Sequence, residues 1–209
     1  MNSIKQALTI GVFGGSQGVG KHCISQALEM GHKVTVLARD VTKLSDIEGN
    51  PNLKIIQGDV LNPGKVREVI EGQNVIINSL GGTDNISSNG TKVIIDVMKE
   101  KNVKRIITCT SLGVGDSYGD CSFMTKTFIW GFISKPIADK NIQEKLLFEA
   151  GLDSIIVRPA RLMNETATGR IRTQGVSGGS IPRADVAAFM LKQLESDRYL
   201  GKAVSLTSE

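Results

Sequence analysis

Gly14-Gly15-Ser16-Gln17-Gly18-Val19-Gly20 follows directly on a short apolar run and precedes a segment of helical period. A Gly-x-x-x-Gly-x-Gly spacing carries chemical meaning only in that strand, turn and helix setting. Gly14 permits a tight turn, Gly18 lets backbone approach a pyrophosphate, and Gly20 lets helix and strand pack closely. Free N–H groups around Ser16, Gln17 and Val19, at the start of the helix, attract phosphate charge. The implied ligand is a dinucleotide.

A second determinant is expected about 20 residues further on, where an acid binds the ribose hydroxyls of NAD and a base meets the 2′-phosphate of NADP. Arg39 stands there, followed by Asp40. The position favours NADPH as the cofactor; a mixed preference through Asp40 and a merely solvated Arg39 are the alternatives.

The elements that must carry these residues alternate between short β-branched runs and longer segments of helical period, as in βαβ units around a parallel sheet. Strands are expected at 7–13, 33–38, 53–57, 74–78, 104–109 and 153–158, with a last short one near 203–206. Each is nearly all apolar, as suits a sheet covered on both faces. Helices are expected at 18–30, 41–48, 63–71, 89–101, 138–150 and about 183–195, with Gly31 and Gly151 as C′ glycines and Asn62-Pro63 opening the third. Pro159 stops the sixth strand, and 164–182 reads as irregular. The pattern is α/β: one doubly wound, Rossmann-type parallel sheet in a single domain over 1–209.

Composition narrows the function classes. At 209 residues with 40% hydrophobic and 22% charged, the chain has ordinary globular proportions and can bury one sizeable core. A net charge of +4, spread along the chain, argues against a nucleic-acid partner. Cys23, Cys109 and Cys121 lack CxxC spacing, and with only His22 and His32 available no usual zinc set assembles, so no metal is expected. The run from Ala7 to Phe13, just after Lys5, is too short for a secretory leader, and no stretch approaches the roughly 18 apolar residues of a membrane helix. A reduced, cytoplasmic protein with no membrane partner is expected.

Beyond the turn, further segments resemble a known group. GGSQGVG at 14–20 resembles the short-chain dehydrogenase/reductase turn, while VLARD at 36–40, GDV at 58–60 and TSLGVGDS at 110–117 resemble the atypical branch of that superfamily. ADKNIQEKLL at 138–147 and IIVRPARL at 155–162 belong to the same pattern, which includes the biliverdin/flavin reductases and the NmrA-like nucleotide sensors. The resemblance implies that Asp59, with Val60 beside it, lies near the adenine ring. It places Asn78, Ser79, Leu80 and Gly81 on the rim of the fourth strand near the ribose, and counts Pro159 among the cofactor-binding positions. Ser111 matches the active-site serine that hydrogen-bonds a substrate carbonyl.

One departure bears on mechanism. In the superfamily a tyrosine donates the proton and a lysine four residues later binds the nicotinamide ribose and lowers the tyrosine pKa. Lys140 and Glu144 resemble the Lys-x-x-x-Glu part of that helix, but four residues before Lys140 stands Pro136. Lys140 keeps a ribose-binding role or is a solvated helix charge. Without the tyrosine, a simple ketone alkoxide would lack its donor, whereas a flavin or quinone can take its proton from water after hydride transfer.

Of one Trp, two Tyr and six Phe, five fall between 118 and 132: Tyr118, Phe123, Phe128, Trp130 and Phe132. Together 113–137 and 160–182 are expected to form the substrate side, with the aromatics walling a flat acceptor or packing on the sheet or a second subunit. Two functions remain open. One is an NADPH-dependent reductase of a small conjugated molecule, acting as monomer or homodimer; the other is a non-catalytic, NmrA-like NADP-binding sensor or scaffold.

Overall fold

The apolar run after Leu8 becomes β1 (Thr9–Phe13), buried from Ile10 onward, and its neighbours in space are the next strands of the same kind. In the computed structural model, which describes residues 7–209, β2 (Lys33–Ala38) and β3 (Leu53–Gln57) add to one side of β1. On its other side lie β4 (Val75–Asn78), β5 (Arg105–Cys109), β6 (Asp153–Pro159) and β10 (Lys202–Ser208), all parallel. Residues 1–6 of the expected domain, Lys5 among them, lie outside the described part.

The expected doubly wound architecture is present. Two helices, α1 (Gly18–Glu29) and α7 (Arg183–Lys192), cover one face and bury Cys23, Ile24, Val186 and Met190 against it. Three others, α2 (Pro63–Ile70), α3 (Ile86–Glu100) and α6 (Ser134–Glu149), cover the opposite face over Phe13, Ile76 and Ile106. Strand order reverses between β1 and β4, which opens a crevice at their carboxyl ends.

Several boundaries differ from expectation for local physical reasons. The helix expected at 41–48 is a single 3₁₀ turn, Val41–Leu44, which Asp40 caps through the Thr42 N–H. The helix expected at 89–101 starts earlier, at Ile86, because the Asp139 carboxylate on α6 accepts from the Ser87 and Ser88 N–H groups, each at 3.0 Å. Sequence periodicity cannot register a cap supplied by another helix. The helix expected at 138–150 begins at Ser134, behind α4 (Ser117–Asp120), α5 (Phe123–Phe128) and a wide π turn over Ile129–Ile133. Pro136 has no N–H for the Phe132 carbonyl, and the helical register is broken just upstream of it, where Ile133 takes φ −130° and ψ 20°.

The segment 164–182 carries β8 (Ile171–Arg172), antiparallel to β10, and β9 (Ser180–Pro182), which pairs with β7 (Arg161–Met163). Asp185 on α7 ties this segment down, accepting from Thr168 N and Gly169 N at 2.9 Å each. A small third core, Leu112, Val114, Ile129, Ile137 and Val176 among its members, joins 113–137 to 160–182 beside the strand ends.

Candidate active site

The glycine turn divides its work among three positions. Gly14 has φ +75°, and a Cβ there would run into the Ser79 carbonyl, so the chain leaving β1 lies against the chain leaving β4. A Cβ at Gly20 would strike the Gly14 carbonyl, which is the close helix-to-strand packing expected of it. Gly18, with φ +59°, faces open space, and the nearest atom to a Cβ there is Arg183 Nε at 3.8 Å. Helix α1 starts here with no side-chain cap and no acid in its first turn, which leaves its N–H groups to an anion. A cradle of this shape fits the pyrophosphate of a dinucleotide.

Around that turn is a cavity of about 380 Å³. It is lined by Gly14, Ser16, Gln17, Gly18, Val19, Arg39, Asp59, Val60, Ser79, Leu80, Gly81 and Lys140 among the residues singled out from sequence. Gly20 and Asn78 stand behind it. The Asn78 amide is wholly buried, donating to Thr91 Oγ1 at 2.8 Å and accepting from Leu80 N at 3.2 Å, so it shapes the β4 rim from inside. The Asp59 side chain caps the following turn through Leu61 N while its residue lines the cavity. At the end of β2, Arg39 is exposed and its guanidinium has no partner among the described residues. Asp40 is occupied: its carboxylate accepts from Thr42 N at 3.1 Å and Thr42 Oγ1 at 2.6 Å.

Lys140 reaches into the same cavity from α6, its Nζ donating to the carbonyls of Leu80 and Cys109 at 3.3 Å each. It is therefore not a solvated helix charge. Burial lowers its pKa from the ordinary lysine value, against the attraction of Cys109, Asp139 and Glu144. Burial also pushes the neighbouring Cys109 thiol up to about 11, which makes it inert as a nucleophile near neutral pH.

A second cavity, of about 570 Å³, adjoins the first, and Thr110, Leu162 and Arg183 line both. Ser111 and Pro159 belong to it, together with Met124, Phe128, Ile129 and Ile133. Ser111 Oγ donates to the Leu112 carbonyl at 3.1 Å. Of the five aromatics expected either to wall the acceptor or to pack on the sheet or a second subunit, Phe128 alone lines this cavity. Phe123, Trp130 and Phe132 are 84%, 81% and 78% exposed, because the α5 and π-turn segment presents its other face to the third core through Ile129.

Beneath Ser111 lies a polar network whose members the sequence showed only as fragments of motifs. Thr110 Oγ1 donates to Glu144 Oε1 at 2.6 Å, and Glu144 in turn accepts from Arg158 of β6. Thr110 and Arg183 lie outside every expected site segment, whereas Leu162 falls within the expected substrate-side stretch 160–182. Arg183 did carry a signal, since a base at the first position of a helix opposes the helix dipole.

Residues 14–197 match the model of the NAD(P)H-binding family. The chain belongs to that family. Among curated relatives, an uncharacterized chloroplastic protein of Arabidopsis thaliana is 29% identical over 203 residues, covering 88% of this chain and 72% of that protein. The photosystem II assembly factor Ycf39 of Cyanophora paradoxa is 23% identical over 90% of this chain, which spans 59% of that protein. Among solved structures, the anaerobilin reductase ChuY from Escherichia coli O157:H7 superposes with a TM-score of 0.84 at 25% identity, covering 96% of this chain and 97% of ChuY. A short-chain dehydrogenase/reductase from Veillonella parvula in complex with NADP has the same fold, with a TM-score of 0.84 at 16% identity over 97% of this chain and 95% of that one. The family agrees with the resemblance of the turn, GDV, TS and VRP segments to the atypical reductases. Among the described residues no helix is long and apolar enough to cross a membrane.

Proposed function

We propose that the protein is an NADPH-dependent reductase that transfers hydride to a small conjugated acceptor of flavin or quinone type. The observation that carries this reading is the junction of the two cavities at Thr110, Leu162 and Arg183, which opens the cofactor groove onto a partly apolar chamber holding Ser111. Bound NADPH supplies the hydride. The chain's own residues orient the partners: the glycine turn receives the pyrophosphate, Arg39 meets the 2′-phosphate, and Lys140, fixed between two carbonyls, holds the nicotinamide ribose. Ser111 turns its hydroxyl from the Leu112 carbonyl to the acceptor oxygen. The proton comes from solvent, since Pro136 stands one helical turn before Lys140 where a tyrosine would be needed.

Preference for NADPH over NADH rests on the contrast between an Arg39 guanidinium without a partner among the described residues and an Asp40 engaged by Thr42. The reductase activity of ChuY supports the reaction class. Free, buried Cys23 and Cys109 suit a reducing cytoplasm. The second reading, an NADP-binding sensor without turnover, is favoured by Pro136 alone. Oxidation of NADPH and NADH by the pure protein, with FMN, quinones and dichlorophenolindophenol as acceptors, separates the two. The reductase reading expects turnover that is faster with NADPH and loses that preference in Arg39→Ala; tight NADPH binding with no turnover on any acceptor would leave the sensor.

A further inference from the structure

Arg183 opens α7 on the far side of the glycine turn and has no part in the motifs that point to a dinucleotide. Its Nε lies 3.8 Å from where a Gly18 Cβ would sit, and its side chain lines both the cofactor cavity and the acceptor cavity. The guanidinium thus faces the stretch of backbone that the cofactor's phosphates must approach.

Its electrostatic situation is incomplete without an anion. A cation at the first residue of a helix sits at the positive end of the dipole. The one acid in that first turn, Asp185, spends both carboxylate oxygens on Thr168 and Gly169. No carboxylate pairs with Arg183 among the described residues; its one polar partner is the Asn164 amide oxygen, which accepts from Nη1 at 2.6 Å and leaves the remaining donors of the fork available. The other cations lining the cavity are spoken for by position. Arg39 stands at the end of β2, and the Lys140 ammonium is bound to the Leu80 and Cys109 carbonyls.

We infer that Arg183 is the side chain that clamps the pyrophosphate of the bound dinucleotide against the Gly18 backbone, and that Asn164 positions it. The inference rests on the dinucleotide reading of the cavity and adds a second recognition element of different selectivity. Arg39 reads a group that only NADPH carries; Arg183 reads one that NADPH and NADH share. The clamp also joins the cofactor to the 164–170 segment, because Asn164 holds the guanidinium and Asp185, two residues along α7, holds Thr168 and Gly169.

The test is calorimetric titration of wild type, Arg183→Ala, Asn164→Ala and Arg39→Ala with NADPH, NADH and adenosine 2′-monophosphate, the last having no pyrophosphate. Arg183→Ala is expected to weaken NADPH and NADH by the same factor, about tenfold or more for a lost charge-assisted bond, and to leave adenosine 2′-monophosphate unchanged. Asn164→Ala should show the same pattern with a smaller factor. Arg39→Ala should show the converse, weakening NADPH and adenosine 2′-monophosphate but not NADH. Unchanged dinucleotide affinity in Arg183→Ala, or equal loss of adenosine 2′-monophosphate, overturns the inference. Should Arg183→Ala melt below wild type without cofactor, Arg183→Met keeps the aliphatic bulk, and the same three-ligand pattern is required of it. Failure of wild type to bind either dinucleotide would instead overturn the cofactor reading itself.

Discussion

Arg158 of β6 meets Glu144 of α6 at two points, Nε to Oε1 at 3.0 Å and Nη2 to Oε2 at 2.6 Å, with the two side chains only 4% and 3% exposed. Because Glu144 also accepts from Thr110, the pair locks α6 to the strand end that carries Ser111. Breaking a buried pair leaves a charge uncompensated, so Glu144→Ala should cost about 3–5 kcal/mol of unfolding free energy, and the double change Glu144→Leu/Arg158→Met should recover most of it. Asp116, the other partner of Arg158 at 2.6 Å, is 91% exposed on its side chain, and Asp116→Ala should cost less than about 1 kcal/mol. Urea unfolding of the four proteins checks the ranking; equal losses for Glu144 and Asp116 would contradict it.

The glycines separate folding from binding. Gly20→Ala should destabilise the apo protein severely, since its Cβ meets the Gly14 carbonyl. Gly18→Ala has room, and its left-handed φ of +59° costs only about 1–2 kcal/mol. It should therefore stay folded while losing dinucleotide affinity, because the methyl fills the space between Gly18 and Arg183. Melting temperature and NADPH titration, read together on each variant, make the comparison, and a Gly18→Ala protein that binds as wild type does would place the phosphates elsewhere.

Asp139 caps α3 from α6, and the cap has a pH signature. Burial works to raise its carboxyl pKa, but the bonds from Ser88 and Ser87 together outweigh it and hold the group below the usual carboxylate value. A depressed folded pKa contributes stability above the unfolded value of about 3.9 and loses it as pH falls through the folded one. At pH 7 Asp139→Ala should be about 1–2 kcal/mol less stable than wild type. That gap should shrink only below about pH 4, where the carboxyl protonates. A gap independent of pH down to the acid transition would mean the charge is not what caps the helix.

Mechanism is tested at Ser111. On the proposed reductase reading, in which the proton comes from solvent, hydride transfer to a flavin or quinone should vary little between about pH 6 and 8. Ser111→Ala should lower the single-turnover rate on the order of tenfold, the loss of one hydrogen bond of ~1.4 kcal/mol, whereas losing an obligatory donor costs about 10²–10⁴. A thousandfold loss would make the serine itself the acid, and robust reduction of simple aliphatic ketones would reveal a donor other than solvent.

What the sequence determined by itself was local. Alternating β-branched and helical segments specify a parallel sheet because each strand must be apolar on both faces, and the spacing of Gly14, Gly18 and Gly20 marks a tight strand-to-helix turn within seven consecutive residues, whereas the Ser79 carbonyl that Gly14 lies against is brought there by the pairing of β1 with β4. The Arg39 position followed from distance along the chain after that turn. Tertiary structure decided everything that depends on which element lies across from which. Ile86 starts its helix because Asp139 arrives from α6; Phe123, Trp130 and Phe132 turn outward because Ile129 on the same segment is drawn into the third core; Lys140 is fixed because the ends of β4 and β5 bring two carbonyls to it. Arg183 is the clearest case. It reaches Gly18 only because the crossover after β6 lays α7 beside α1, and spacing along a chain contains no record of which helices a sheet will hold together on one face.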